Sequence, residues 1–467
     1  MDIKPIPVAV TLGIGLILWF SPFPQGLDAR SWHLFAIFVA TLVGIVVRVL
    51  PMGAVGMLGI AVTALTGTLH IRDALSGFSN TTVWLVALVF VISRGFIKTG
   101  LGSRIAYGLV ALLGKRTLGL GYGLIAADLV LAPAMPSNTA RSGGVVFPVV
   151  QALADAFGSS AQKGTARRIG AFLALTAFQG SCITGAMFLT AVAGNPLVQR
   201  LSGNFRVNIT WGNWALAALV PGLASLILVP LILYKLYPPE VKATPEAVKM
   251  ARTSLDKLGP VKRSEWIMAG VLVMLLGLWI FGERNGIDAT TTAMVGISVL
   301  LLSGVLTWDD VRKENAAWET LIWYAALVMM AGYLNSLGLI PYFTARLGHA
   351  VQGIPWAVVF ILLSLVYFYS HYLFASNTAH ISAMFAPFVA VMIGAGAPPL
   401  LSALVLGFFS SLFGGLTHYG TGPAQIFFGS DLVDLKDWLV YGLIVSVVNL
   451  VIWYGLGMVW WTVIGIV

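Results

Sequence analysis

The chain has 467 residues, 58% of them hydrophobic and only 10% charged, with a mean hydropathy of +0.91 and a formal net charge of +9. A soluble domain carries about 25% charge, so this composition excludes a soluble globular protein and indicates a polytopic membrane protein. The single cysteine, Cys182, excludes an internal disulfide or a cysteine-built metal cluster and reads as a small packed apolar residue. The basic excess is that of cytoplasmic loops rather than of a nucleic-acid binder.

Taken in chain order, windows of about 20 apolar residues predict spans near 6–21, 32–50, 53–69, 83–100, 167–203, 213–236, 266–283, 289–307, 317–335, 399–430 and 438–464. The first lacks a following small-residue cleavage site and reads as a span rather than a signal peptide. No Arg- and Ser-rich transit segment precedes it, which points to a bacterial inner membrane. The spans 167–203 and 399–430 are too long and too Gly-rich to be simple rods.

Two further apolar regions, 118–155 and 356–392, are interrupted by polar text: PAMPSNTARSGGVVFP at 133–148 and FASNTAHISAMFAPF at 374–388. Each half is too short to cross alone, which predicts a re-entrant hairpin with the motif at its tip. The expected fold class is therefore an all-α polytopic membrane protein with about 11 transmembrane helices plus two re-entrant hairpins. Lys115, Arg116, Lys163, Arg167 and Arg168 flank the first hairpin, and Lys235 with six more basic residues crowds 235–265; only Arg346 is comparable near the second. The positive-inside rule then puts the first hairpin and the N-terminus on the cytoplasmic side and the second hairpin on the opposite face.

The two motifs stand in register. Asn138 and Asn377 are 239 residues apart, and Ser137/Ser376, Thr139/Thr378, Pro148/Pro387 and Trp84/Trp323 share the offset. This predicts an N-terminal span (1–29), a first repeat (30–236), a cytoplasmic basic linker (237–265) and a second repeat (266–464). An odd number of spans per unit inverts the second copy, and inverted repeats with broken helices at the midplane are a mark of secondary transporters.

Irregular backbone survives in lipid only when buried or lining a wet cavity. A helix that starts at such a tip directs unpaired N–H groups and partial positive charge into that cavity, which suits an anion. Two tips suit an anion with two charged ends, such as a dicarboxylate. The long spans carry TAVAGNPL (190–197) and THYGTGPA (417–424). Gly194-Asn195-Pro196 and Gly420-Thr421-Gly422-Pro423 are expected to unwind their helices and present Asn195 and Thr421 to the same cavity.

With paired Ser-Asn-Thr hairpins and a Gly-and-Pro break in each following span, the chain resembles the divalent anion/sodium symporter (DASS) family from about residue 30 to 464. THYGTGPAQIFFGS is most similar to the branch of citrate/succinate and 2-oxoglutarate/malate antiporters. The resemblance implies a homodimer without cofactors, a fixed scaffold with a transport domain that moves as an elevator, and substrate carboxylates between the tips. It assigns binding to Asn138, Thr139, Asn377 and Thr378, with Ser137 and Ser376 supporting the tips and Asn195 and Thr421 from the breaks.

Family symporters hold a sodium ion beside each tip. Here Arg141 and His380, again 239 apart, lie two residues past each motif threonine. A guanidinium is always charged, so it removes the need for the ion. It also makes an unloaded carrier costly to move through low dielectric, which predicts obligate exchange. If His380 acts as the second cation, transport depends on pH, because an unperturbed histidine titrates near 6.5. Arg141 as a snorkelling anchor and His380 as a core histidine are the plainer readings.

His371, His380 and His418 match no metal-ligand spacing, and Asp128 has no counterpart at Tyr367. Arg94 and Lys98 read as interfacial. A sodium-coupled symporter is the alternative reading. An intramembrane enzyme, resting on Ser410 or Ser411 with His418, is a distant one, and nothing resembles a channel selectivity ring.

Overall fold

The computed structural model describes residues 5–160, 163–350 and 353–467. Among them every regular element is a helix, and the one bridge between extended residues joins Arg116 and Ala243. Among the described residues ten helices are long and apolar enough to cross a membrane, and five shorter apolar ones accompany them. Four predicted spans, near 6–21, 53–69, 289–307 and 399–430, fall on the shorter set: Pro5–Phe20, Met52–Leu65, Ala289–Leu302 and Pro399–Gly415. The expected cytoplasmic N-terminus lies at residues 1–4, outside the described residues.

The chain divides into two compact units, each drawn from both halves of the sequence. One comprises Met1–Leu88, Pro196–Ile209 and Glu314–Gly407 and contains the second hairpin. Its long central helix, Asn315–Ser336, packs against Met52–Leu65. Close approach is set by glycine there: a Cβ on Gly56 would lie 2.8 Å from the Trp323 Cα.

The other unit comprises Val89–Asn195, Thr210–Lys313 and Phe408–Val467 and contains the first hairpin. Its Gly170–Met187 helix is buried along its whole length. Such a helix touches no lipid, so its Gln179, Ser181 and Thr184 are spent on protein partners. Trp214, Trp438, Trp453 and Trp461 fill this core. Their bulk is apolar and their indole N–H groups need acceptors: Trp214 donates to the Ala186 carbonyl, Trp453 to Ser225 and Trp461 to the Ala217 carbonyl.

Two sequence expectations change. Residues 237–265 are more than a linker. Pro245–Leu258 is an amphipathic helix that buries Ala247, Val248 and Ala251 and packs on Leu101–Leu113. Arg104 clamps its far end, pairing with Glu265 at 2.7 Å and donating to the Gly259 carbonyl. Thr244 donates to the Gly114 carbonyl and Thr117 to the Val241 carbonyl, which stitches the stretch to the root of the first hairpin. The hairpin arms are also longer than expected. Thr117–Ala134, Trp356–Leu373 and Asn377–Gly394 each reach 18 residues, about 27 Å at the helical rise, because 3₁₀ and π turns carry the helices up to and past the polar motifs.

Candidate functional site

Both tips are built alike. Ser137 accepts a hydrogen bond from the Ala140 N–H at 3.1 Å, and Ser376 accepts one from the Ala379 N–H at 3.4 Å. Serine caps a helix because its oxygen satisfies an orphan N–H. The chain then runs through a π-helical stretch, Thr139–Val146 in the first tip and Ile381–Phe385 in the second. It resumes as an α-helix with Pro148 or Pro387 in the first turn, where a missing N–H is harmless. π-Helical stretches recur at functional sites.

In the first tip, Arg141 is wholly buried and points back into the hairpin. Its Nε donates to both Asp128 oxygens at 3.2 Å. Its Nη1 donates to the Met135 carbonyl at 2.6 Å and the Ala191 carbonyl at 2.7 Å, and its Nη2 to Asn138 Oδ1 at 3.2 Å. The guanidinium thus fills a ring of oxygens of the kind that would otherwise hold a hard cation. Arg141 does not snorkel. Asp128, which the sequence left without a role, is its counter-ion, so Arg141 is not the uncompensated charge expected from sequence. An unpaired charge at this depth would be too costly to retain.

Asn138 Oδ1 also accepts from Ser181, and Thr184 donates to Asp128. With its oxygen held, Asn138 has its amide N–H groups left to offer. Asn138 is partly accessible and Thr139 is exposed. Thr139 lies against the second break, where a Cβ on Gly422 would come within 2.2 Å of its hydroxyl. A glycine is required at that point for the two segments to meet.

The first break lies upstream of its expected place. Phe188–Ala193 is unwound, and Gly194-Asn195-Pro196 opens the Gly194–Ser202 helix, since proline is tolerated in a first turn. Asn195 is completely buried. It donates to the Gly185 and Phe188 carbonyls at 2.7 and 2.8 Å and accepts from Ser411, so it ties the break together and presents no free donor. In the second break, Leu416–Thr421 is irregular, Thr421 caps Gly422–Phe428 through the Ala424 N–H, and Pro423 again sits in the first turn. Gly420 lies in the irregular stretch, and Gln179 donates to the nearby Gly415 carbonyl.

In the second tip, His380 is buried among rings. Phe374 stacks on it at 4.5 Å, Tyr367 lies at 4.6 Å, His371 meets it Nδ1 to Nδ1 at 3.2 Å, and Ser370 reaches its Nε2 at 3.2 Å. Asn377 and Thr378 are partly accessible, and the buried Asn377 Oδ1 has no hydrogen-bond partner. His418 packs on Tyr419 and Phe428, while Ser411 is given over to Asn195. Among the described residues no group of three metal-ligating side chains occurs.

Sequence reasoning missed Ser181, Thr184 and Gln179. Their one available signal was polar residues at helical spacing in an otherwise apolar span. Cys182 is buried on the same helix and forms no disulfide.

The model of the sodium:sulfate symporter transmembrane region matches residues 4–467. The chain is 56% identical to "Putative malate transporter YflS" of Bacillus subtilis (strain 168), covering 99% of this chain and 97% of that one. It is 50% identical to the chloroplastic dicarboxylate transporter 1 of Spinacia oleracea, covering 100% of this chain and 82% of that one. In shape it is similar to the solved YdaH transporter of Alcanivorax borkumensis, with a TM-score of 0.55 at 14% identity and coverage of 98% and 96%. These relatives are transporters rather than enzymes, and the chain belongs to the divalent anion/sodium symporter family.

Proposed function

We propose that this protein exchanges dicarboxylate or tricarboxylate anions of the malate, succinate, fumarate, 2-oxoglutarate and citrate type across a bacterial inner membrane, without sodium. The observation that carries this is the oxygen ring around Arg141: a tethered cation occupies the place where a mobile one would be needed. The substrate class is supported by relatives named for dicarboxylates and malate. Each tip holds one carboxylate, the first through the Asn138 amide and Thr139 and the second through Asn377 and Thr378. Ser137 and Ser376 hold the tips in shape, and Thr421 and Gly422 support the first tip from the second break. The carrier works as a homodimer by an elevator movement of its transport domain, with the N-terminus in the cytoplasm.

Exchange follows from the cost of the unloaded site rather than from a bare charge, because Arg141 is neutralised by Asp128. An empty site leaves polar groups without partners, and carrying these through a low-dielectric region is unfavourable. A bound carboxylate satisfies them, and swapping one dianion for another moves no net charge. The sodium-coupled alternative is favoured by the matching family's description. Purified protein in liposomes separates the two. Labelled malate or 2-oxoglutarate should enter only vesicles preloaded with a carboxylate, at the same rate in sodium or choline salts. Uptake into empty vesicles driven by a sodium gradient overturns the reading.

A further inference from the structure

We infer that the unit built from Met1–Leu88, Pro196–Ile209 and Glu314–Gly407 carries a second anion site, centred on Arg200, that takes a carboxylate. The unit carries an open pocket of about 370 Å³ lined by Ser76, Gly77, Asn80, Arg200, Gly332 and Tyr333, among others. That volume lies in the range of small-molecule sites, about 300–1,000 Å³. Arg200 is a permanent cation. Among the described residues no carboxylate lies within ion-pair distance of it, and its buried Nε has no hydrogen-bond partner. The arginine of the first tip, by contrast, is bonded through all three of its nitrogens.

The surroundings are donors. Asn80 spends its oxygen on the Thr82 and Val83 N–H groups at the head of the next helix, which leaves its amide N–H groups to face a ligand. The Tyr324 hydroxyl is buried, lacks a partner, and lies within electrostatic reach of Arg200. The acidic group on the neighbouring short helix, Asp73, interacts with the Tyr333 hydroxyl. Close packing requires glycine at position 77, whereas Gly332 leaves room beside the guanidinium. A Cβ on Gly77 would collide with the Ala325 carbonyl at 2.0 Å, and one on Gly332 would stand 3.7 Å from Arg200 Nη2. Arg200 is half-buried, and a guanidinium whose buried Nε lacks a partner and which has neutral donors around it is completed by an anion or water, a carboxylate doing so with two parallel hydrogen bonds.

The site is independent of the tips, so it is tested where they are disabled. Succinate binding is read by saturation-transfer NMR on full-length protein in phosphatidylcholine nanodiscs. In Asn138→Ala/Asn377→Ala, a weaker but saturable succinate signal should remain. Adding Arg200→Gln should remove at least about four-fifths of it, and Arg200→Lys should keep most of it. Gly332→Leu, which fills the cavity and leaves the charge in place, should match Arg200→Gln and guards against a folding artefact. No saturable signal in the tip-disabled protein, or a signal indifferent to both Arg200→Gln and Gly332→Leu, overturns the site. Loss of the signal on changing to phosphatidylglycerol nanodiscs overturns the carboxylate assignment in favour of a lipid headgroup. If the tip substitutions leave the strong binding intact, it is the tip reading that fails.

Discussion

Thirteen residues before Arg141 stands Asp128, and thirteen before His380 stands Tyr367. In both hairpins the two positions touch, by an ion pair in the first and by ring contact at 4.6 Å in the second. The serine caps, the π-helical stretches and the first-turn prolines around them are shared. One frame therefore supports two electrostatic solutions. The first tip buries full charges and satisfies every one, while the second buries a titratable ring among aromatic neighbours. What the frame conserves is the geometry of the cap; the balance of charge behind it is left to vary.

The comparison breaks most visibly at Arg141. Arg141→Ala leaves Asp128 buried and alone, a loss of about 3–5 kcal/mol for a broken buried pair. Exchange should fall below detection and the thermal midpoint should drop. Arg141→Met with Asp128→Leu should recover much of the midpoint and none of the exchange. The emptied oxygen ring of Arg141→Ala should also bind sodium, seen as a rise in midpoint in sodium over choline chloride that wild type lacks.

The tip amides come next. On the proposed binding mode, Asn138→Ala and Asn377→Ala each remove a hydrogen bond to a carboxylate, about 1.5–3 kcal/mol, so each should raise the substrate KM roughly ten- to a hundredfold. Equal effects sharpen the shared frame; an effect confined to Asn138 breaks it. A smaller change is expected from His380→Gln. Because His380 is buried among the Phe374, Tyr367 and His371 rings rather than beside a counter-ion like that of Arg141, wild-type exchange should be flat between pH 5.5 and 8, and so should the variant's. A flat wild-type profile would remove His380 from the list of compensating cations.

The smallest effect lies outside both tips. The hydrogen bond from Lys98 at 2.5 Å, helped by the Thr307 N–H, holds the Asp310 carboxyl down to about 2. A depressed carboxylate contributes stability that is full above its unfolded value, about 3.9, and is lost as pH falls through about 2. Asp310→Asn should therefore cost about 0.2–1 kcal/mol at neutral pH, as for other exposed pairs. The gap from wild type should close between pH 4 and pH 2 in denaturant titrations.

Much of this protein is written in its residue order. Hydropathy located most of the long helices, and the 239-residue offset found both tips, both caps and the matched positions 141 and 380. Both breaks were found as regions, but the first was misplaced as residues, because Gly and Pro mark a helix start as readily as a helix end. Asn195 shows the limit. Its type and place suggested a ligand, yet its amide is consumed by the Gly185 and Phe188 carbonyls.

Sequence alone determined that polar groups would be buried in hydrocarbon and placed the tip motifs on their segments. Only the tertiary structure decided which group satisfies which: Asp128 for Arg141, Ser181 for Asn138, Ser411 for Asn195, and no partner for Arg200 Nε. The physical reason is that a low-dielectric interior demands a partner for each polar atom. The partners lie from 13 to 216 residues away, beyond the i,i+4 reach of a helix, so packing alone can assign them.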